Sequence, residues 1–337
     1  MRGFSSGSTR CPNSRVERAS PLIRGSLGRL SQWLLYGIAA VFVTGAAALL
    51  LIPFGQRVDP SWRPSVATPR YMADHPIICF DEGHYNAHDA GDRYRPLAGL
   101  LQADGYRIGR HGTGFDAASL AGCDVLVIAN AAGGGRLTLG PFNLPIRRGG
   151  EHGAPAFLDA EIAALRRWVE DGGNLLLVAD HAPFGQASRP LAEAFGVQMG
   201  GGFVEIRPRG PAAGGPGEIL FTATNGLLRP HPITAGLQRV KSFTGQSLAG
   251  AGEALLVLPP DAVEYVPPGP RLRPVPAGGR AQAIALTRGA GRVVVLGEAG
   301  MITAQLDDNG AKFGMNVAGI DNQQFALNPF HWLSRAR

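Results

Sequence analysis

The sequence predicts an α/β domain on a doubly wound, mostly parallel sheet, preceded by one N-terminal transmembrane helix. Three observations predict it. Solid apolar runs of strand length, such as "DVLVIAN" (124–130) and the core of "GGNLLLVADHAPFG" (172–185), alternate with amphipathic helical stretches. That is the pattern of strands covered on both faces by crossover helices. The same runs end in polar residues and glycines. An uncharged stretch from Leu30 to Gln56 follows an arginine-rich tail.

The tail, residues 1–29, carries Arg2, Arg10, Arg15, Arg18, Arg24 and Arg29 against Glu17, and so holds most of the formal charge of +6. The remaining chain is close to neutral, which is a poor footprint for nucleic acid despite a pI near 9.6. A hydrophobic fraction of 45% supports a real core and argues against wholesale disorder. Within the expected anchor, residues 30–53, "WLLYGIAAVFVTGAAALLLIP" would span about 30 Å as a helix, one hydrocarbon thickness. Trp33 and Tyr36 sit where amphipathic aromatics favour the interface, and the preceding arginines place the N-terminus in the cytoplasm. The charged region is too long, and the apolar run too extended, for a cleaved signal peptide. The expected location is therefore the inner membrane, single-pass, with the main domain in the periplasm.

Residues 54–70, "FGQRVDPSWRPSVATPR", read as a proline-rich linker, and the folded domain is expected over 71–337. "PIICF" (76–80) is the first strand, followed by a helix around 93–103 with Leu97, Leu100 and Leu101 on one face. "YRIGRH" and "DVLVIAN" are the second and third strands. "AEIAALRRWVEDGG" is a helix with Ile162, Leu165, Trp168 and Val169 inward, ended by Gly172 and Gly173. The strand Leu175–Val178 comes next. The second half is richer in strands: "EILFTAT", "ALLVLP", "QAIALTR" and "RVVVLGE". In the terminal segment, Asn328 reads as an N-cap and Pro329 as the first helical residue. Long loops cover 131–155, 200–217 and 266–279, and the first of them is the candidate lid or binding loop. Cys11 lies in the tail. Cys79 falls inside a strand and Cys123 before its neighbour, an offset of about 13 Å in extended chain, so both are expected as unpaired small hydrophobes.

In an open parallel sheet, ligands bind beyond the carboxyl ends of the strands. The first strand ends in "DEGHYN", giving Asp81, His84 and Asn86; the third ends in Asn130; the next ends in Asp180 and His181; and "RVVVLGEAG" ends in Glu298. Each position alone is ordinary turn chemistry. Their recurrence on one edge predicts a shared polar pocket, with Asn316, Asn322 and His331 as further candidates. Weaker signals add little. "TGQSLAG" places Ser247 in a near-miss of a nucleophile elbow, but the residues after it are Gly-rich rather than helical. "QLDDNG" lacks the first carboxylate of a calcium loop and reads as a turn.

Several segments look like one family: "FDEGHYN", "RYRPLAGLLQADGYRI", "CDVLVIANA", "WVEDGGNLLLVADHAPFG", "HPITAGL", "GRVVVLGEAGMITAQL", "GMN" and "DNQQFALNPFHWLS". They resemble a bacterial membrane-anchored branch of the class I glutamine amidotransferase-like superfamily, related to domains of gliding-motility and intraflagellar-transport proteins. The resemblance covers about residues 75–335 and implies a flavodoxin-like fold. Active members of that superfamily carry a cysteine in the turn after a buried strand. Here "VADHA" stands in that place with His181 at the cysteine's position, so the resemblance implies the fold without glutaminase activity. Three functions stay open: a tethered domain binding a small ligand or cell-envelope glycan, a metal-assisted hydrolase using Asp81, His84, Asp180, His181 and Glu298 with Zn²⁺ or Mn²⁺, and a structural partner in an envelope assembly.

Overall fold

The apolar runs become the inner strands of a nine-stranded mixed sheet in the computed structural model. The structure describes residues 55–132, 154–206, 215–267 and 272–335, with the backbone alone of 135–139 and 142–146. The expected tail (1–29) and membrane span (30–53) lie outside the described residues, as do 133–134, 140–141 and 147–153 of the expected lid loop, whose remaining backbone forms an antiparallel strand pair instead of a plain loop. Among the described residues no helix is long and apolar enough to cross a membrane.

The segment expected as a linker joins the fold. Strand β1 (Arg57–Val58) pairs antiparallel with Leu306 and Gln305. Asp59 is buried, with its N–H donated to Ala304 O at 2.9 Å and its carboxylate accepting from Ser61 and Asn316. Short edge pairing leaves no periodic apolar signal, which is why the sequence places the start of the domain at Tyr71.

The parallel half follows the expected alternation: β2 (Ile77–Asp81), α1 (Arg95–Ala103), β3 (Arg107–His111), the short α2 (Ala117–Leu120) and β4 (Val125–Ala129). An antiparallel pair, β5 (Gly135–Leu139) and β6 (Phe142–Ile146), precedes α3 (Asp159–Glu170), β7 (Asn174–Val178) and α4 (Phe184–Ala194). Next come β8 (Val197–Met199), β9 (Phe203–Glu205), β10 (Ile219–Phe221), β11 (Val240–Ser242), β12 (Leu248–Gly250) and β13 (Glu253–Val257). The chain closes with β14 (Val263–Val266), β15 (Arg273–Pro276), β16 (Ala281–Arg288), β17 (Gly291–Leu296), β18 (Ala304–Leu306), β19 (Lys312–Gly314) and α5 (Asn322–Leu333).

The main sheet runs β3-β2-β4-β7-β17-β16-β12-β8, with β13 also on β16. From β3 to β17 every pairing is parallel; beyond β17 every pairing is antiparallel. The reversal comes from the tight connection between β16 and β17. Gly289 has φ +58° there, and a Cβ would lie 2.5 Å from Glu170 O.

Alternate residues of β7 explain the two layers. Leu176 and Val178 face one core with Leu97, Leu101, Phe325 and Phe330, while Leu175 and Leu177 face another with Leu165, Val169, Leu191 and Phe195. The α1 and α3 faces point inward as the sequence predicts, with Ile162 and Trp168 partly buried at the margin.

Two expectations are corrected. Cys79 and Cys123 form a disulfide, with Cα atoms 5.7 Å apart. Asp124 is held against Ile77 by Asp124 N–H to Ile77 O (3.0 Å) and Ile77 N–H to the Asp124 carboxylate (2.7 Å). The chain before Asp124 therefore turns across the sheet face instead of extending along the strand, and the assumed offset disappears. Pro329 sits inside α5, which starts at Asn322. Proline removes one intrahelical donor, while Phe325, Phe330 and Leu333 bury the helix on the sheet and Asn328 Nδ2 donates to Ile233 O at 2.7 Å.

Candidate functional site

Strand β7 ends at Val178, and the chain makes an elbow through Ala179, Asp180 and His181 to a cis Ala182–Pro183 bond before α4 starts. The elbow is pinned from three sides. Asp180 N–H donates to Asn130 Oδ1 at 2.8 Å. His181 N–H donates to Asp180 Oδ1 at 2.7 Å. Buried Gln246 donates from Nε2 to Ala179 O at 2.7 Å, while its Oε1 accepts from Gly201 N–H. The His181 ring stacks on Phe203, with centroids 4.4 Å apart, and its Nδ1 lies 2.9 Å from Ala182 O. A carbonyl only accepts, so Nδ1 carries the hydrogen of this contact.

Glu298 follows β17 on the neighbouring strand. Its buried carboxyl accepts from Gly300 N–H at 2.5 Å and Met301 N–H at 2.7 Å. Burial, reinforced by the negative charge of Asp180, pushes this carboxyl well above the ordinary range against those backbone donors. Glu298 is therefore a buried carboxyl held high by desolvation and by Asp180, while two backbone N–H groups favour its charged form. Tyr94, whose hydroxyl donates to Ala299 O at 3.1 Å, is pushed up by burial and by the same two carboxyls.

These groups open onto a cavity of about 370 Å³ at the carboxyl edge of the sheet. His88, Arg93, Asn130, Asp180, His181 and Glu298 supply polar wall, and Phe184, Phe243 and Phe313 supply apolar wall. Asn130, held at φ +56°, brings its Nδ2 to 3.2 Å from His88 Nδ1. Four of the sequence-predicted residues thus share one cleft: Asn130, Asp180, His181 and Glu298.

Asp81, His84 and Asn86 form a different centre. Asp81 accepts from Gly83 N–H (3.0 Å), His84 Nδ1 (3.0 Å) and Asn86 Nδ2 (2.6 Å). His84 is 7% exposed and its Nε2 meets Glu161 Oε1 at 3.1 Å, with its ring packed against both Phe115 and Phe157. Burial alone would lower the imidazole's pKa, but the hydrogen bond and charge of Asp81, then those of Glu161, raise it. For Glu161, burial is outweighed by Leu158 N–H and by His84, and its pKa falls. Asn86 Oδ1 accepts from Ala129 N–H at 2.9 Å, tying this knot to the end of β4. The three residues satisfy one another and none of them lines the cavity.

The remaining candidates are separated from the cleft. Asn316 donates to Asp59 and Gln305 O, bracing a wall residue from behind. Asn322 holds Lys241 and Met301 backbone atoms at the start of α5. His331 pairs with Asp104 at 2.6 Å, at the opposite end of the sheet, because Asp104 ends α1, which runs back to the amino edge. Sequence reasoning missed Gln246, His88 and Arg93. Gln246 carries no motif, and the other two lie in a loop beyond the strand-end window. Ser247 is buried, bonded to Glu264 and Arg280 rather than presented on an elbow. Among the described residues no three His, Cys, Asp or Glu side chains converge as a metal site, so the metal-assisted alternative has no donor set there.

No protein-family model and no curated protein matches this chain. Among solved structures it is similar to the mmIFT52 N-terminal domain at 17% identity, covering 76% of this chain and 97% of that one with a TM-score of 0.51. At that identity the likeness shows a shared α/β fold built on a mixed, mostly parallel sheet. Weaker likenesses are to a putative ThuA-like protein from Bacteroides uniformis (14% identity, 82% and 95% covered, TM-score 0.41) and to cytoplasmic protein STM1381 from Salmonella typhimurium (15%, 77% and 98%, 0.41). His181 occupies the elbow between β7 and α4. Both cysteines among the described residues are bonded to each other, so neither offers the thiolate that glutaminase chemistry needs.

Proposed function

We propose that the protein is a membrane-tethered, extracytoplasmic binding domain whose cleft takes a small hydroxyl-rich ligand, such as a unit of a cell-envelope glycan. The observation that carries this reading is the cleft's mixture of groups. Asp180, Glu298, Asn130 and the His181 imidazole offer polar groups, and Phe184, Phe243 and Phe313 offer apolar faces. Sugars present hydroxyls that donate and accept around apolar C–H faces, and this wall matches both demands. The Cys79–Cys123 disulfide supports an oxidising compartment, and the uncharged run with its arginine tail supports the tether. Calorimetric titration of the full chain in detergent with glucose, N-acetylglucosamine and their β-linked oligomers tests the reading. Saturable binding that is lost in Asp180→Asn is expected; no binding across that panel would refute a glycan ligand.

A second reading is favoured by the acidic pair alone. Asp180 and Glu298 line one cleft, with the Glu298 carboxyl raised by burial and by Asp180, and two carboxyls in unlike environments are what general acid–base hydrolysis uses. Turnover of aryl glycosides or esters, abolished in Glu298→Gln, would establish it over simple binding.

A further inference from the structure

The amino edge of the sheet, at the far end from Asp180 and His181, holds a second cavity of about 310 Å³ between β17 and the end of α5. Arg292 begins β17 half-buried, with its guanidinium 4.9 Å over the Trp332 ring and Nη1 donating to Trp332 O. Arg335, just beyond α5, donates to Ala290 O and lines the same cavity with His331 and Asn328. Nearby arginines are neutralised: Arg166 and Arg288 share the Glu170 carboxylate at 3.3 and 3.0 Å. Among the described residues Arg292 and Arg335 meet carbonyls and an indole, and neither has a carboxylate within ion-pair distance. Asp104, behind His331, is already occupied by His331 Nε2 at 2.6 Å and Arg70 N–H at 3.0 Å. Burial and the adjacent Arg335 charge press the Arg292 guanidinium below its ordinary value, so the pair is under mutual repulsion.

We infer that Arg292 and Arg335 bind a phosphate group in this cavity, either free or on a lipid headgroup. Each guanidinium has five N–H donors and spends few of them on the protein, which leaves fork geometry for a tetrahedral oxyanion. The Trp332 ring holds Arg292 in place before binding, which lowers the ordering cost. A bound anion would offset the charge of Arg335 beside Arg292.

The test is calorimetric titration of the full chain, in detergent and phosphate-free buffer, with inorganic phosphate and separately with a monomeric short-chain phosphatidic acid. Saturable binding of at least one is expected, weakened about tenfold in Arg292→Gln and in Arg335→Gln through loss of charge-assisted hydrogen bonds. Binding of phosphate assigns a soluble anion, and binding of the lipid alone assigns a headgroup. Arg335 is exposed and its replacement leaves the core untouched, so that variant decides the matter if Arg292→Gln does not fold. Binding of neither probe, or unchanged affinity in Arg335→Gln, overturns the inference.

Discussion

His84 shows how a residue can sit at the expected edge and still serve the fold. Its two ring nitrogens meet Asp81 and Glu161 in a nearly closed site. Removing it leaves two carboxylates without their partner, so His84→Gln should destabilise the domain by about 3 kcal/mol in denaturant unfolding. The pH dependence has a definite sign. The folded-state pKa of His84 is raised, so its contribution is complete below the unfolded value of about 6.5 and is lost as pH rises through the folded one. Unfolding free energies of wild type and His84→Gln should therefore differ most near pH 6 and converge in alkali. A gap that widened with pH would contradict the clamp. Glu298 acts in the same direction from a lower starting point. Its carboxyl is raised in the folded state by burial and by Asp180, so stability falls as pH climbs above the unfolded value of about 4.3. A Glu298→Gln variant should show a shallower decline over that range. The strand-end rule brought Asn130, Asp180, His181 and Glu298 to one cleft from sequence alone. It could not show that Asp81, His84 and Asn86 would saturate one another, because that depends on Glu161, Phe115 and Phe157 arriving from distant segments.

At the level of elements, every buried strand of the parallel half was legible, because a strand covered on both faces writes a continuous apolar run. Short edge strands such as β1, β8 and β9 were not, since two or three residues carry no period. The disulfide was hidden for a related reason: the turn before β4 is set by Asp124 on Ile77, a contact with no sequence signature. Replacing both Cys79 and Cys123 with alanine should cost about 3 kcal/mol of unfolding free energy. Reducing the wild type should lower it to the same level, while affinity at the cleft stays unchanged. Equal stability of oxidised and reduced protein would mean that the bond adds nothing to the fold. The antiparallel half was read as strand-rich, but its reversal at β17 depends on the tight turn at Gly289 rather than on any run of residues.

For the whole molecule, the proposed function requires an N-terminal tether ahead of an α/β domain whose cleft lies at the carboxyl edge of the sheet. A reporter active only outside the cytoplasm, fused after Arg337, should be active, and the full-length mass should remain with membranes; a protein recovered free of membranes and beginning near residue 50 would remove the tether. The central claim is that the carboxyl edge of the sheet carries two neighbouring polar centres with different duties, an open cleft at Asp180, His181 and Glu298 and a closed knot at Asp81, His84 and Asn86. The most direct test compares His181→Ala and His84→Ala for thermal stability and for calorimetric binding of β-linked N-acetylglucosamine oligomers. The account predicts that His181→Ala loses binding and keeps its Tm, while His84→Ala melts at a markedly lower temperature. A destabilised His181→Ala with intact binding, or a His84→Ala that melts like the wild type, would contradict it.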